Sequence, residues 1–316
     1  MILAFKEIFM KLQKLAIGMA AAMLLMRCST YKPAVRDIQP REKRTLTERD
    51  LFKNGAAIAE LAVLNTGEVE VETGLLLDLD KIPGAKNRKL HVPVLSYLVR
   101  HKTQGDILID TGFDASFAQS GHGNFGCMGV FFNFAKQKPG QDVAAQLKEK
   151  RAVLKAVYFT HMHVDHTSGT PDLPKDIPYY AGKGTLADSY ADIFGLCMKH
   201  LDGIEHVNEI DFSQAAAVEG LGAVYDIFGD GSVWAIHTPG HSAGHMSFLV
   251  NTTTGPALIT GDASHTAYGF KNNVAPGKMQ NHNEGEATLA RLRAFAARYP
   301  KLRVLYGHDT DGSIVP

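Results

Sequence analysis

A chain of 316 residues can hold one large or two average domains, and 45% hydrophobic with 21% charged residues supplies a buried core and excludes general disorder. Its 33 lysines and arginines balance 33 aspartates and glutamates, which removes the broad positive field of a nucleic-acid-binding surface and disfavours a polyanionic substrate. One globular domain is expected over residues 51–316.

At the start, Lys11 and Lys14 precede an apolar run over residues 15–26, the pattern of an export signal assigned here to residues 1–28. The run is shorter than the roughly 20 residues of a spanning helix, so an uncleaved anchor is the weaker alternative. Met10 followed by Lys11 makes a more typical signal start than Met1, and N-terminal sequencing that recovers Phe5 would exclude a start there. Leu25-Met26-Arg27-Cys28 is similar to a bacterial lipoprotein box, whose Cys receives the lipid, although Arg27 stands where that box has a small residue. The expected location is the periplasm or cell envelope, with lipidation of Cys28 left open. Cys127 and Cys197 then remain, either as a disulfide pair or as two unpaired thiols packed as small hydrophobes.

Residues 29–50 are polar, mixed in charge and punctuated by Pro33 and Pro40, and read as a tether outside the core. The folded part is expected to open with a hairpin of residues 92–100 and 106–110, closed by Thr111-Gly112. Residues 121–134, rich in glycine and carrying His122, Phe125, Phe131, Phe132 and Phe134, read as a surface loop or as a flap offering apolar side chains to a substrate. Residues 141–151 have helical composition, and the continuous apolar run 153–159 suits a strand buried on both faces. Further strands are predicted at 177–181, 223–228, 233–237, 246–250, 257–260 and 302–306. A helix over 284–298 lines up Leu289, Leu292, Phe295, Ala296 and Tyr299, with Asn283 as its cap and Glu286 completing a capping box.

Directly after the buried-type strand comes Thr160-His161-Met162-His163-Val164-Asp165-His166, in which four metal-ligating side chains fall within six residues. Imidazole nitrogen and carboxylate oxygen suit zinc and similar divalent ions, and alternate spacing lets His161 and His163 converge on one ion while Asp165 and His166 face a second. Crowded imidazoles repel when protonated and are best accommodated as neutral ligands of a cation. Three more candidates follow predicted strands, each beside a glycine: His241 after Gly240, Asp262 after Gly261 and His308 after Gly307. Strand ends gathered along one edge of the sheets would bring them together. Asp110, Thr160, His245 and Asp309 are candidates for orienting the ligands, since ligating imidazoles usually donate their other N–H to a partner.

In order, His161, His163, Asp165, His166, His241, Asp262 and His308 resemble the seven ligands of dinuclear metallo-β-lactamase-fold hydrolases, a likeness covering roughly residues 92–309. The resemblance implies a mixed α/β fold, a four-layer αββα sandwich. It implies that His161, His163 and His241 hold one metal, that Asp165, His166 and His308 hold the other, and that Asp262 bridges them. Within the superfamily, Ile109-Asp110-Thr111-Gly112, Thr238-Pro239-Gly240-His241, Gly261-Asp262-Ala263-Ser264 and Tyr306-Gly307-His308-Asp309 look most similar to N-acyl homoserine lactone lactonases. Those enzymes typically carry a tyrosine three residues after the bridging Asp. Here that position is His265, with Tyr268 near in sequence, so His265 is a candidate hydrogen-bond donor to substrate or a structural residue.

The expected chemistry is hydrolysis of a lactone or small carboxylic ester by a dinuclear centre, with zinc the first candidate and manganese, iron or cobalt also compatible with the ligands. Two cations about 3.5–4 Å apart share a water and lower its pKa toward about 7, so no serine or cysteine nucleophile is needed. The lactonase resemblance gives Asp165 the role of carrying a proton to the leaving group. Thioester or phosphoester hydrolysis, and a metal-binding envelope module without turnover, are the competing readings. The expected partner is a small molecule, with no nucleic acid.

Overall fold

The computed structural model describes residues 33–40, 43–124, 135–187 and 200–316. The expected export signal, Cys28, Cys127, Cys197 and the aromatic stretch 125–134 lie outside the described residues. In chain order the strands are β1 (Ala34–Ile38), β2 (Thr45–Leu46), β3 (Ile58–Glu72), β4 (Lys89–His101), β5 (Gly105–Ile109), β6 (Ala135–Lys136), β7 (Leu154–Tyr158), β8 (Tyr179–Gly182), β9 (His206–Ile210), β10 (Ala216–Val218), β11 (Gly222–Asp226), β12 (Val233–His237), β13 (Met246–Thr252), β14 (Gly255–Ile259) and β15 (Arg303–Leu305). They pair as an 8-stranded sheet, β1-β9-β8-β7-β5-β4-β3-β6, and a 7-stranded sheet, β15-β14-β13-β12-β11-β10-β2.

Period-two alternation decides how the sheets stack. From β4, Leu95, Tyr97 and Val99 meet Ala235 of β12 and Met246, Phe248 and Val250 of β13 in a core between the two sheets. The alternate residues of the second sheet, Trp234, Ile236, Leu249 and Leu258, turn outward and pack on Leu289, Leu292 and Phe295 of the helix His282–Arg298. On the far side, Leu64, Leu98, Leu108 and Val157 pack on Val143 and Leu147 of the helix Val143–Glu149. Helix, sheet, sheet and helix thus form the four layers that the sequence resemblance implies. Among the described residues, no helix is long and apolar enough to cross a membrane.

Three expectations are corrected. Within the expected tether of residues 29–50, residues 33–40 and 43–50 do not lie outside the core: β1 pairs in parallel with β9, β2 with β10, and Leu46 is buried in the outer core. Their polarity misleads because β1 is an edge strand whose side chains are largely exposed. Nor does the folded body open at residue 92, since β3 precedes it; Glu68, Glu70 and Glu72, with a bulge at Asn65–Gly67, obscure a pattern in which Leu64, Thr66 and Val69 are buried. Finally, the long helix is capped by Asn281, whose side chain accepts from the Glu284 N–H at 3.2 Å, rather than by Asn283. Two Asn-x-x-Glu strings overlap here, and Glu286 of the second pairs with Lys81 instead.

Candidate metal centre

The sheet pairing explains why ligands distant in sequence converge. Strands β12 and β14 both run antiparallel to β13, so His237 and Ile259 end on the same edge, and β15 runs parallel to β14 and ends there too. The loops after these three strands carry His241, Asp262 and His308, and the loop after β7 carries His161 and His163 before the short helix Val164–Thr167 brings in Asp165 and His166. The Met246 N–H donates to the Thr160 carbonyl at 2.8 Å, stitching the two sheets together at this edge. Gly307 is required by contact: a Cβ there would collide with Asp262 Oδ1.

All seven predicted ligands are brought together. The ligating atoms of His161, His163, His241 and Asp262 lie within 4.8 Å of one another, and so do those of Asp165, His166 and His308. Asp262 stands between the groups: its Oδ2 is 3.5 Å from His161 Nε2, 3.4 Å from His241 Nε2 and 3.4 Å from His166 Nε2, and its Oδ1 is 3.4 Å from His308 Nε2. His163 Nδ1 approaches His241 Nε2 at 2.9 Å, and Asp165 Oδ2 is 3.4 Å from His308 Nε2.

The donor chemistry fits two cations. Buried polar atoms are normally hydrogen-bonded, yet His161 Nε2, His166 Nε2 and Asp262 Oδ1 are buried with no hydrogen-bond partner among the described residues. Burial and neighbouring imidazoles hold His161 and His241 well below the usual histidine range, which leaves them neutral and able to ligate. Burial opposes ionisation of Asp262, but His166, His265 and His308 outweigh it and hold the carboxyl well below its usual range. Burial likewise disfavours the charged forms of His166 and His308, against which Asp262 and the other nearby carboxylates raise both.

The outer nitrogens are held as the ligand reading requires. His166 Nδ1 donates to Asp110 Oδ2 at 2.8 Å, and His308 Nδ1 donates to the Pro93 carbonyl at 2.9 Å. Thr160 Oγ1 lies 3.0 Å from His161 Nδ1 and donates to Asp110 Oδ2 at 2.8 Å, while the Thr160 N–H donates to Asp110 Oδ1 at 2.7 Å. One buried carboxylate therefore orients a ligand of each metal. His245 acts differently: its Nε2 accepts from the Asp262 N–H at 3.0 Å and its Nδ1 bonds Thr238 Oγ1 at 2.8 Å, so it fixes the backbone of the bridging residue. Burial pushes this imidazole down to about 3. Asp309 orients no imidazole and accepts from the Ala267 and Gly312 N–H groups.

His265 enters the site, with Nε2 3.1 Å from Asp262 Oδ2. Tyr268 does not take its place; it packs with the apolar cluster of Val69, Leu76 and Val274. A cavity of about 280 Å³ opens above the ligands. Val71, Leu75, Leu76 and Met279 form its apolar wall, joined by Lys278 and Gln280. Sequence reasoning missed this wall; the flap it offered as one reading of residues 121–134 lies mostly outside the described residues. The readable signal was Leu75-Leu76-Leu77 after Gly74, an apolar triplet with neither helical nor strand period, in which Leu75 stays 42% exposed.

A four-layer sandwich with this ligand set at its sheet edge defines a metal-dependent hydrolase. The chain belongs to the metallo-beta-lactamase superfamily, which it matches over residues 91–308. It is 27% identical over 237 residues to the N-acyl homoserine lactonase AttM of Agrobacterium fabrum, covering 70% of this chain and 83% of that one. Among solved structures it is similar to a mutant of B. thuringiensis AiiA with N-decanoyl-L-homoserine bound at the active site, with TM-score 0.63 and 22% identity over 81% of this chain and 95% of that one. It is also similar to AidC, a dizinc quorum-quenching lactonase, with TM-score 0.52 and 14% identity over 88% of this chain and 93% of that one.

Proposed function

We propose that this hydrolase opens the ring ester of a lactone, of the N-acyl homoserine lactone class, with two zinc ions at its centre. The observation that carries the reading is the convergence of seven ligands, of which His163, Asp165, His241, Asp262 and His308 line a cavity with an apolar wall. The lactonase relatives and the dizinc neighbour support the substrate class and the metal. His161, His163 and His241 would hold one ion, Asp165, His166 and His308 the other, with Asp262 between them. Bound there, the ions would supply an acidified water and polarise the ester carbonyl.

The residues do the rest. Val71, Leu75, Leu76 and Met279 receive the apolar arm of the substrate and exclude water from its side of the cavity. Asp165, whose side chain is 20% exposed and lines the cavity, takes the proton given up by the attacking water and passes it to the departing alkoxide. Asp110 and Thr160 keep the imidazoles aimed.

Metal-replete protein is assayed against acyl-homoserine lactones, aryl esters, thioesters and phosphodiesters, with Asp262→Ala as control. Lactone opening as the fastest reaction is the expected result. Preferred turnover of a thioester or phosphodiester, or none of any substrate by a metal-loaded protein, overturns it. We also propose export to the periplasm or cell envelope, supported by Lys11, Lys14 and the apolar run 15–26; cell fractionation that finds only unprocessed cytoplasmic protein refutes this.

A further inference from the structure

His265 is 6% exposed, and its Nδ1 donates to the Leu76 carbonyl at 3.2 Å, a hydrogen bond that fixes its ring. That bond turns Nε2 into the site, where it lies 3.1 Å from Asp262 Oδ2. His308 is built the same way, with Nδ1 on the Pro93 carbonyl and Nε2 toward the other oxygen of the same carboxylate. A backbone bond joins the two, the His308 N–H donating to the His265 carbonyl at 2.8 Å. The ligating atoms of Asp262, His265 and His308 lie within 4.8 Å of one another, as those of the other two groups do.

A carboxylate oxygen and an imidazole nitrogen at this distance share either a proton or a metal ion, and the convergence of His308 Nε2 on the same carboxylate favours the ion. Second-partner hydrogen bonds to backbone carbonyls are the usual mark of an imidazole held to ligate. We propose that His265 is an eighth metal ligand, a further nitrogen that joins Asp262 and His308 in holding an ion of the centre. The inference rests on the dinuclear reading of the other seven residues. It makes this centre richer in nitrogen, a shift that favours borderline ions such as zinc and cobalt over manganese.

The test strips the whole protein with a chelator and reloads it with Co²⁺. Each ligated imidazole with an exchangeable N–H gives a strongly shifted proton resonance. His265→Phe is expected to remove one such resonance, and to raise the dissociation constant of the weaker-bound Co²⁺ by at least about tenfold. A folded His265→Phe protein with unchanged Co²⁺ affinities and resonances overturns the proposal, and a defect confined to KM then makes His265 a substrate contact. The second measurement needs no variant. In wild-type protein carrying nitrogen-labelled histidine and NMR-active cadmium, a metal coupling to His265 Nε2 is expected, and its absence refutes ligation. Wild-type protein that binds two ions and opens lactones without this coupling loses only the eighth ligand, whereas protein that binds none loses the dinuclear reading as well.

Discussion

Replacing Asp110 by Asn isolates the carboxylate that serves both metal positions. Asp110 is 1% exposed and holds φ +54°, a left-handed backbone that Asn also tolerates, so the change leaves the fold of the loop alone. Its two oxygens accept from the Thr160 N–H, the Thr160 hydroxyl and His166 Nδ1. An amide keeps one acceptor oxygen; if that oxygen faces Thr160 Oγ1 and His166, its NH₂ group meets the Thr160 N–H. One buried donor is then unsatisfied, at a cost of about 1–3 kcal/mol in stability. The surviving bond to His166 becomes neutral and weaker. Loss of such an orienting partner typically costs about 10–100-fold in metal affinity, or about 1.4–2.8 kcal/mol. Zn²⁺ competition against a chromogenic chelator should show this loss for the ion on His166, and a smaller one for the ion on His161, which feels Asp110 only through Thr160. Thr160→Val, which cuts the relay to His161 and leaves the shorter His166–Asp110 bond in place, should reverse that order. A folded Asp110→Asn protein with both affinities unchanged would refute the reasoning.

Asp262→Ala should lose metal and turnover together, since its oxygens face ligands of both groups; metal analysis that finds two ions in a fully active variant contradicts the bridging role. Gly240→Ala should destabilise the protein by about 1–3 kcal/mol in denaturant titration and weaken the ion on His241, because φ is +131° and a Cβ would collide with the Gly285 backbone. Asn281→Ala, which removes the cap of the long helix, should lower stability by about 1 kcal/mol with metal content unchanged.

The metal centre was legible because most of it is local. His161, His163, Asp165 and His166 sit in one loop, and the remaining ligands each follow a strand whose apolar run can be read directly. What the sequence hid depends on pairing between distant segments. β1 is recognisable as a strand only through β9, more than 150 residues on, and β3 is masked by the glutamates of its outer face. The role of His245 was out of reach for the same reason: a histidine four residues after His241 reads as a ligand partner, and only the fold places its Nε2 on the backbone of Asp262. The apolar cavity wall combines residues 71–76 with 278–280, two stretches that share no pattern.

The first residues of the folded body also matter for what they prevent. Within a dozen positions the chain lays Ala34–Ile38 along one open margin of the sandwich and Thr45–Leu46 along a margin of the other sheet. Left bare, β9 and β10 would offer unpaired backbone groups to the next molecule, the usual route to edge-on polymerisation. A short strand with Arg36 and Asp37 both exposed is a poor template for further growth. The stretch that looks most dispensable thus guards solubility, and a truncation placed after it would remove a safeguard while sparing every catalytic group.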